Sequence, residues 1–142
     1  MSLQVFHKQI TDLLKLVGFD DLPLLSDQEV FSLDVDELFT MHCLLASPET
    51  WVILAELPGP LHEEKYIHEA MLHINQPIGT TWQPIIGLND KNHPIVWLNL
   101  PLYGLEPAAS LDAFQAVTDS AKALHTDFLT HDEFNWHEIN SF

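Results

Sequence analysis

Apolar and polar positions along this chain follow two different periods, and each change of period marks an element. Residues 3–17, LQVFHKQITDLLKLV, place Phe6, Ile10, Leu13, Leu14 and Val17 on one helical face. Ser2 stands where it can cap the start of that helix, and Gly18 where it can stop it. After the loop DDLPLLSDQ, the stretch EVFSLDV alternates, with Phe31, Leu33 and Val35 on one side and Ser32 and Asp34 on the other. That is the signature of a half-buried strand. ELFTMHCLLA follows at once and predicts a hairpin, SPET turns the chain, and WVILAEL (Trp51 to Leu57) reads as a third strand.

PGPLHEE then breaks the pattern and opens a helix. Pro60 suits its first turn, and Glu63 and Glu64 suit the positive end of its dipole. This helix carries Tyr66, Ile67, Ala70, Met71 and Ile74 toward a core and ends at Asn75 and Pro77. QPIIGL is a short fourth strand, NDKN a turn, and PIVWLNLPLYGLEP holds a fifth. Ser110 is placed to cap a last helix, with Leu111, Phe114, Val117, Ala121, Leu124 and Phe128 on its stripe. From His131 the tail is aromatic and acidic without a clear period.

The order α-β-β-β-α-β-β-α predicts an α+β fold, with three helices and a mostly antiparallel five-stranded sheet. We expect one domain over residues 1–130 and a tail over 131–142. Two strands, WVILAEL and IVWLNLPL, are apolar on both faces, where a strand with one wet face would alternate. Either helices pack on both sides of them, or surplus apolar surface marks an interface. Within IVWLNLPL, Val96, Leu98 and Leu100 are expected to meet the domain's own helices, and Ile95 and Trp97 to face the other way.

Charge narrows the partners. Five lysines (Lys8, Lys15, Lys65, Lys91, Lys122) and no arginine oppose 21 acids, for a formal charge of −16. Nucleic acid is therefore not an expected partner, because binding it needs cations against phosphate. A bidentate arginine clamp is unavailable. Such a surface repels anionic membranes and favours basic or neutral partners. No apolar run approaches the about 20 residues that a membrane crossing needs. The first residues lack a charged segment followed by an apolar one, so no signal peptide is read. Cys43 is the sole cysteine, which excludes an internal disulfide and suits a reducing cytosol.

Catalytic chemistry finds little support. HEAMLH, from His68 to His73, resembles a zincin motif, but its histidines are five residues apart rather than four. At about 100° per residue the second ring swings roughly 140° from the first. His131 and His137 lie with Asp132, Glu133 and Glu138 in a tail that reads as solvated. Cys43 follows His42, but adjacent strand residues face opposite ways and form no dyad. There is no GxSxG elbow, and the five glycines are isolated, so no phosphate loop is seen. Glu56, the one acid in an apolar strand, is either an acid of raised pKa or an exposed strand-end residue. No catalytic residue, metal or cofactor is expected.

WVILAELPGP followed by a helix ending in LHIN, then PIIGLND and PIVWLNLPLYGLEP, then SLDAFQAVTDSAKAL, resembles in order the class I type III secretion chaperones, the Tir-chaperone (CesT/SycE-like) family. The resemblance covers nearly the whole chain and lies in the order of these phrases. Two departures stand out: NDKN occupies a turn where the family often has glycine, and arginine is absent. The aromatic tail after Thr130 does not align with the family pattern. The resemblance implies a homodimer in the cytoplasm of a Gram-negative bacterium. It would bind the N-terminal chaperone-binding segment of a secreted effector in extended form, without nucleotide or catalysis. It would keep the effector secretion-competent and help deliver it to the export machinery, the secretion ATPase included. On this reading Phe6, Ile10, Leu13, Leu14, Phe31, Leu33 and Leu44 are expected to contact the effector. Tyr66, Met71, Trp82, Ile85, Ile86 and Trp97 are expected at the dimer seam. The competing readings are an interaction protein of the same fold without a secretion role, and a metal-binding or enzyme module built on the histidines and Glu56.

Overall fold

The computed structural model describes residues 2–19, 26–58, 69, 71–72, 75 and 81–126. The described elements are α1 (Ser2–Val17), β1 (Val30–Val35), β2 (Phe39–Leu45), β3 (Thr50–Glu56), β4 (Ile85–Leu88), β5 (Pro94–Pro101) and α2 (Pro107–Leu124). The five strands form one sheet in the order β1-β2-β3-β5-β4, antiparallel throughout. This is the expected α+β architecture, with two helices among the described residues. The helix expected after Pro60 falls almost wholly outside them, as do Phe128 and the tail from residue 131.

Register sorts the side chains. Leu33 lies opposite Met41, Met41 opposite Ala55, and Ala55 opposite Val96, which in turn faces Ile86. Residues directly opposite share a face, so this row and its neighbours two residues on line one side of the sheet. Met41, Cys43, Trp51, Ile53, Ala55 and Val96 on that side are all fully buried. Phe6, Ile10, Leu13 and Leu14 of α1 and Ala113, Phe114, Val117 and Ala121 of α2 complete the same core. The Phe6 ring meets Trp51 edge-on, with centroids 6.0 Å apart. Val96, Leu98 and Leu100 therefore lie on the helix-covered side, and Ile95 and Trp97 on the other.

Three local signals set the element ends. Gly18 adopts φ +111°, and its own N–H and that of Phe19 both reach the Leu14 carbonyl, at 3.0 and 2.8 Å, closing α1 as a left-handed glycine does. The β1–β2 hairpin turns on Asp36 and Glu37, both at positive φ, with the Leu38 N–H donating to the Val35 carbonyl at 2.9 Å. That is a primed turn, whose twist matches the strands it joins. α2 begins at Pro107, three residues before the expected cap, because proline presets the first helical φ and lacks the N–H that would go unpaired.

Both expected serine caps are thereby corrected. Ser110 lies inside the first turn of α2, fully buried, and donates its hydroxyl to Gln9 Oε1 at 3.3 Å. Ser2 is itself helical, and its hydroxyl donates to the Pro48 carbonyl at 3.2 Å. The Gln9 amide donates in turn to the Leu102 carbonyl at 3.0 Å, so one carboxamide ties α1 to both the end of β5 and the start of α2.

Candidate functional site

Among the described residues, two surfaces and one polar cluster outside the core bear on function. The first surface is the outer edge of β1. The Leu45 N–H donates to the Glu29 carbonyl at 2.9 Å, which fixes the alternation: Phe31, Leu33 and Val35 pair with β2, and Val30, Ser32 and Asp34 turn their backbone groups outward. At Val30 the outward carbonyl accepts from the Gln28 amide at 2.8 Å. On the helix side of this edge, Phe31 and Leu33 are half-buried against the core. Phe6, Ile10, Leu13 and Leu14 are at most 1% exposed, so they form the interior beneath the edge rather than its surface. Leu44 sits opposite Val30, one residue out of phase with Phe31 and Leu33, and faces the other side of the sheet. The structure thus brings Phe31 and Leu33 together over the α1 residues and sets Leu44 apart.

The second surface is the sheet face away from α1 and α2. Register places Leu44 beside Val52, and Leu54 beside Trp97, which is opposite Ile85. Ile95 lies opposite Gly87. Trp97 lies over Gly87: a Cβ built there would come within 3.1 Å of its ring. A side chain at position 87 would require the indole to give way by a few tenths of an ångström. Leu54, Ile95 and Trp97 are half-buried, and Ile85 and Val30 are exposed. Of the residues expected at a dimer seam, Trp97 and Ile85 belong to this face. Ile86 is one residue out of phase and lies on the helix side, where it joins the core with Met71. Trp82 packs partly buried against that core, and Tyr66 lies outside the described residues.

The polar cluster closes one end of this face. Glu56 Oε1 accepts from His42 Nε2 at 3.3 Å, and Oε2 accepts from Asn89 Nδ2 at 3.0 Å and from His93 Nδ1 at 3.2 Å. His42 Nδ1 meets the Ser32 hydroxyl at 2.7 Å. In the neutral ring, a hydroxyl donating to Nδ1 leaves Nε2–H for the carboxylate. Burial pushes the Glu56 carboxyl upward, but the hydrogen bonds from His42, His93 and Asn89 outweigh it and hold the carboxyl below the usual glutamate range. The raised-pKa reading of Glu56 is corrected by these donors: it stays ionised and ties β2, β3 and the β4–β5 turn together. Among the described residues, no three His, Cys, Asp or Glu side chains converge as metal ligands. His68, His73, His131 and His137 lie outside those residues.

Sequence reading missed the cluster because its members come from four segments, and missed Val52 and Leu54 because β3 is apolar at every position from Trp51 to Ala55. The parity signal was nonetheless present. A hairpin turning at Asp36–Glu37 puts Cys43 opposite Phe31, and so sends Leu44 to the other face.

Among solved structures, the fold is similar to a chain of the heterodimeric ExoU–SpcU complex from the type III secretion system of Pseudomonas aeruginosa. Identity is 15%, the TM-score 0.68, and the match covers 85% of this chain and 98% of that one. It is similar to a chain in the structure of the Yersinia pestis type III secretion chaperone SycH with a fragment of YscM2 (13% identity, TM-score 0.67, 84% and 98% covered). It is similar also to a chain of the HopA1–SchA chaperone–effector complex (14% identity, TM-score 0.71, 89% and 97% covered). At such identities these likenesses bear on the fold alone. No curated protein sequence matches the chain. The sequence model of the Tir chaperone protein (CesT) family, a family of chaperones and not of enzymes, matches residues 8–125. With that match running from α1 through α2, the chain belongs to the Tir chaperone (CesT) family.

Proposed function

We propose that this protein is a cytoplasmic chaperone of a type III secretion system in a Gram-negative bacterium. It acts as a homodimer and holds the N-terminal chaperone-binding segment of a secreted effector in extended form. It keeps that effector soluble and hands it to the export machinery, the secretion ATPase included. The observation that carries the reading is the outer edge of β1, where outward backbone groups at Ser32 and Asp34 run beside half-buried Phe31 and Leu33. An extended segment gains main-chain hydrogen bonds at such an edge and specificity from alternate side chains. Cargo residues opposite Phe31 and Leu33 point toward α1 and are apolar. Those opposite Ser32 and Asp34 point away and are polar or basic, in keeping with the charge of −16.

The family membership and the complexes formed by the similar structures support the same reading. HopA1–SchA is a chaperone–effector complex, and SycH is a type III secretion chaperone. The second copy covers the face of Leu54, Ile85, Ile95 and Trp97, an apolar surface whose self-association is self-complementary about a two-fold axis. Among the described residues no helix is long and apolar enough to cross a membrane.

The test is affinity capture of the full chain from its native host, followed by mass spectrometry. One co-purifying secreted protein, bound through a segment near its N-terminus, is the expected result. Capture of partners with no secreted protein among them favours an interaction protein of the same fold and overturns the secretion role.

A further inference from the structure

The two edges of the sheet are not equivalent. β4 is four residues long, and at its centre the Ile86 N–H donates to Asn75 Oδ1 while the Ile86 carbonyl accepts from Asn75 Nδ2, both at 2.7 Å. One carboxamide thus makes the pair of bonds that a residue of a neighbouring antiparallel strand would make. A flipped amide would set oxygen against oxygen and nitrogen against N–H, so the paired contacts fix its orientation. Alternation along β4 leaves outward groups at Ile86 and Leu88 only, and Leu88 lies at the strand's end opposite Pro94.

At β1, among the described residues, the Gln28 amide donates to the outward carbonyl of Val30, at the start of the strand. Exposed strand edges accept further strands unless something blocks them. We propose that Asn75 is an edge plug. It takes the place of a neighbouring strand on β4, prevents β4 from pairing with the β4 of a second copy, and leaves β1 as the edge that accepts a strand. The assignment of β1 to an effector rests on the function proposed above. The plug itself does not, and its tests need no cargo.

Amide hydrogen exchange on the full chain, followed by NMR, gives the first test. The Ile86 amide is expected to be protected in the wild type to the level of the ladder amides, and in Asn75→Ala to exchange about tenfold faster or more, while Gly87 changes little. An Ile86 amide that exchanges freely in the wild type overturns the proposal, and that outcome depends on no variant folding. The second test is light scattering across a micromolar concentration range. Asn75→Ala is expected to form larger assemblies than the wild type, and adding Leu88→Pro, which removes the other outward N–H, to abolish them. An Asn75→Ala protein that folds and keeps the wild-type mass at every concentration refutes the plug.

Discussion

Glu56 is a carboxylate in a strand that is otherwise apolar, and its role follows from what surrounds it. His42, His93 and Asn89 donate to its two oxygens, and the side chain is 32% accessible. Its carboxyl is held below the usual glutamate range, so the sign is fixed. The group contributes stability above the unfolded carboxylate range and loses it as pH falls through the lowered folded value. Glu56→Gln is expected to cost about 0.5–1 kcal/mol at neutral pH, a figure discounted for partial exposure. Urea unfolding at a series of pH values should show the difference from wild type shrinking as pH falls below the glutamate range. Cys43 gives a second residue-scale test. Burial alone pushes its thiol up to about 12, so the nucleophilic thiolate is scarce at pH 8. A thiol reagent at that pH should label it slowly in the native protein and rapidly in denaturant. Fast native labelling would contradict its place in the core.

At the scale of elements, β1 can be tested while its backbone ladder with β2 is kept. The Asp34 N–H points outward, away from β2, so Asp34→Pro removes a donor from the edge while sparing the ladder. The variant should keep its cooperative unfolding and lose at least about tenfold in affinity for the captured effector segment, roughly the worth of one or two hydrogen bonds. Unchanged affinity, measured by titration calorimetry, would remove strand addition at β1. α1 carries a separate prediction. Gly18 sits at φ +111°, where any side chain is strained, so Gly18→Ala should destabilise the chain by about 1 kcal/mol in urea unfolding.

For the whole molecule, the sheet face carrying Leu54, Ile85, Ile95 and Trp97 is the surface that bears on assembly. Trp97 is held by the close approach of Gly87, and its indole covers the middle of β4. Trp97→Asp should separate the proposed dimer before it unfolds the protomer, because the residue lies outside the helix-covered core. Sedimentation at micromolar concentration beside a thermal melt distinguishes the two events. A variant that stays dimeric places the seam elsewhere.

Most of the fold was legible along the chain, because the period of two in β1 and the period of 3.6 in α1 are local properties of sequence. The closing helix was legible over Leu111 to Leu124, but not at its start, where Pro107 rather than the expected Ser110 opens it. The family resemblance was carried by the order of apolar phrases, and the family model matches residues 8–125. Which face each apolar residue occupies was decided only in three dimensions. β3 is apolar at consecutive positions, so its pattern cannot say which side meets the helices, and the register with β2 and β5 supplies the answer. The same registers separate Leu44 from Phe31 and Leu33, and Ile85 from Ile86. They bring His42, Glu56 and His93 together from segments up to 51 residues apart, and they leave Ile86 facing Asn75. Local sequence determined the elements because backbone geometry repeats every few residues. Tertiary structure decided the surfaces because they depend on which strands become neighbours.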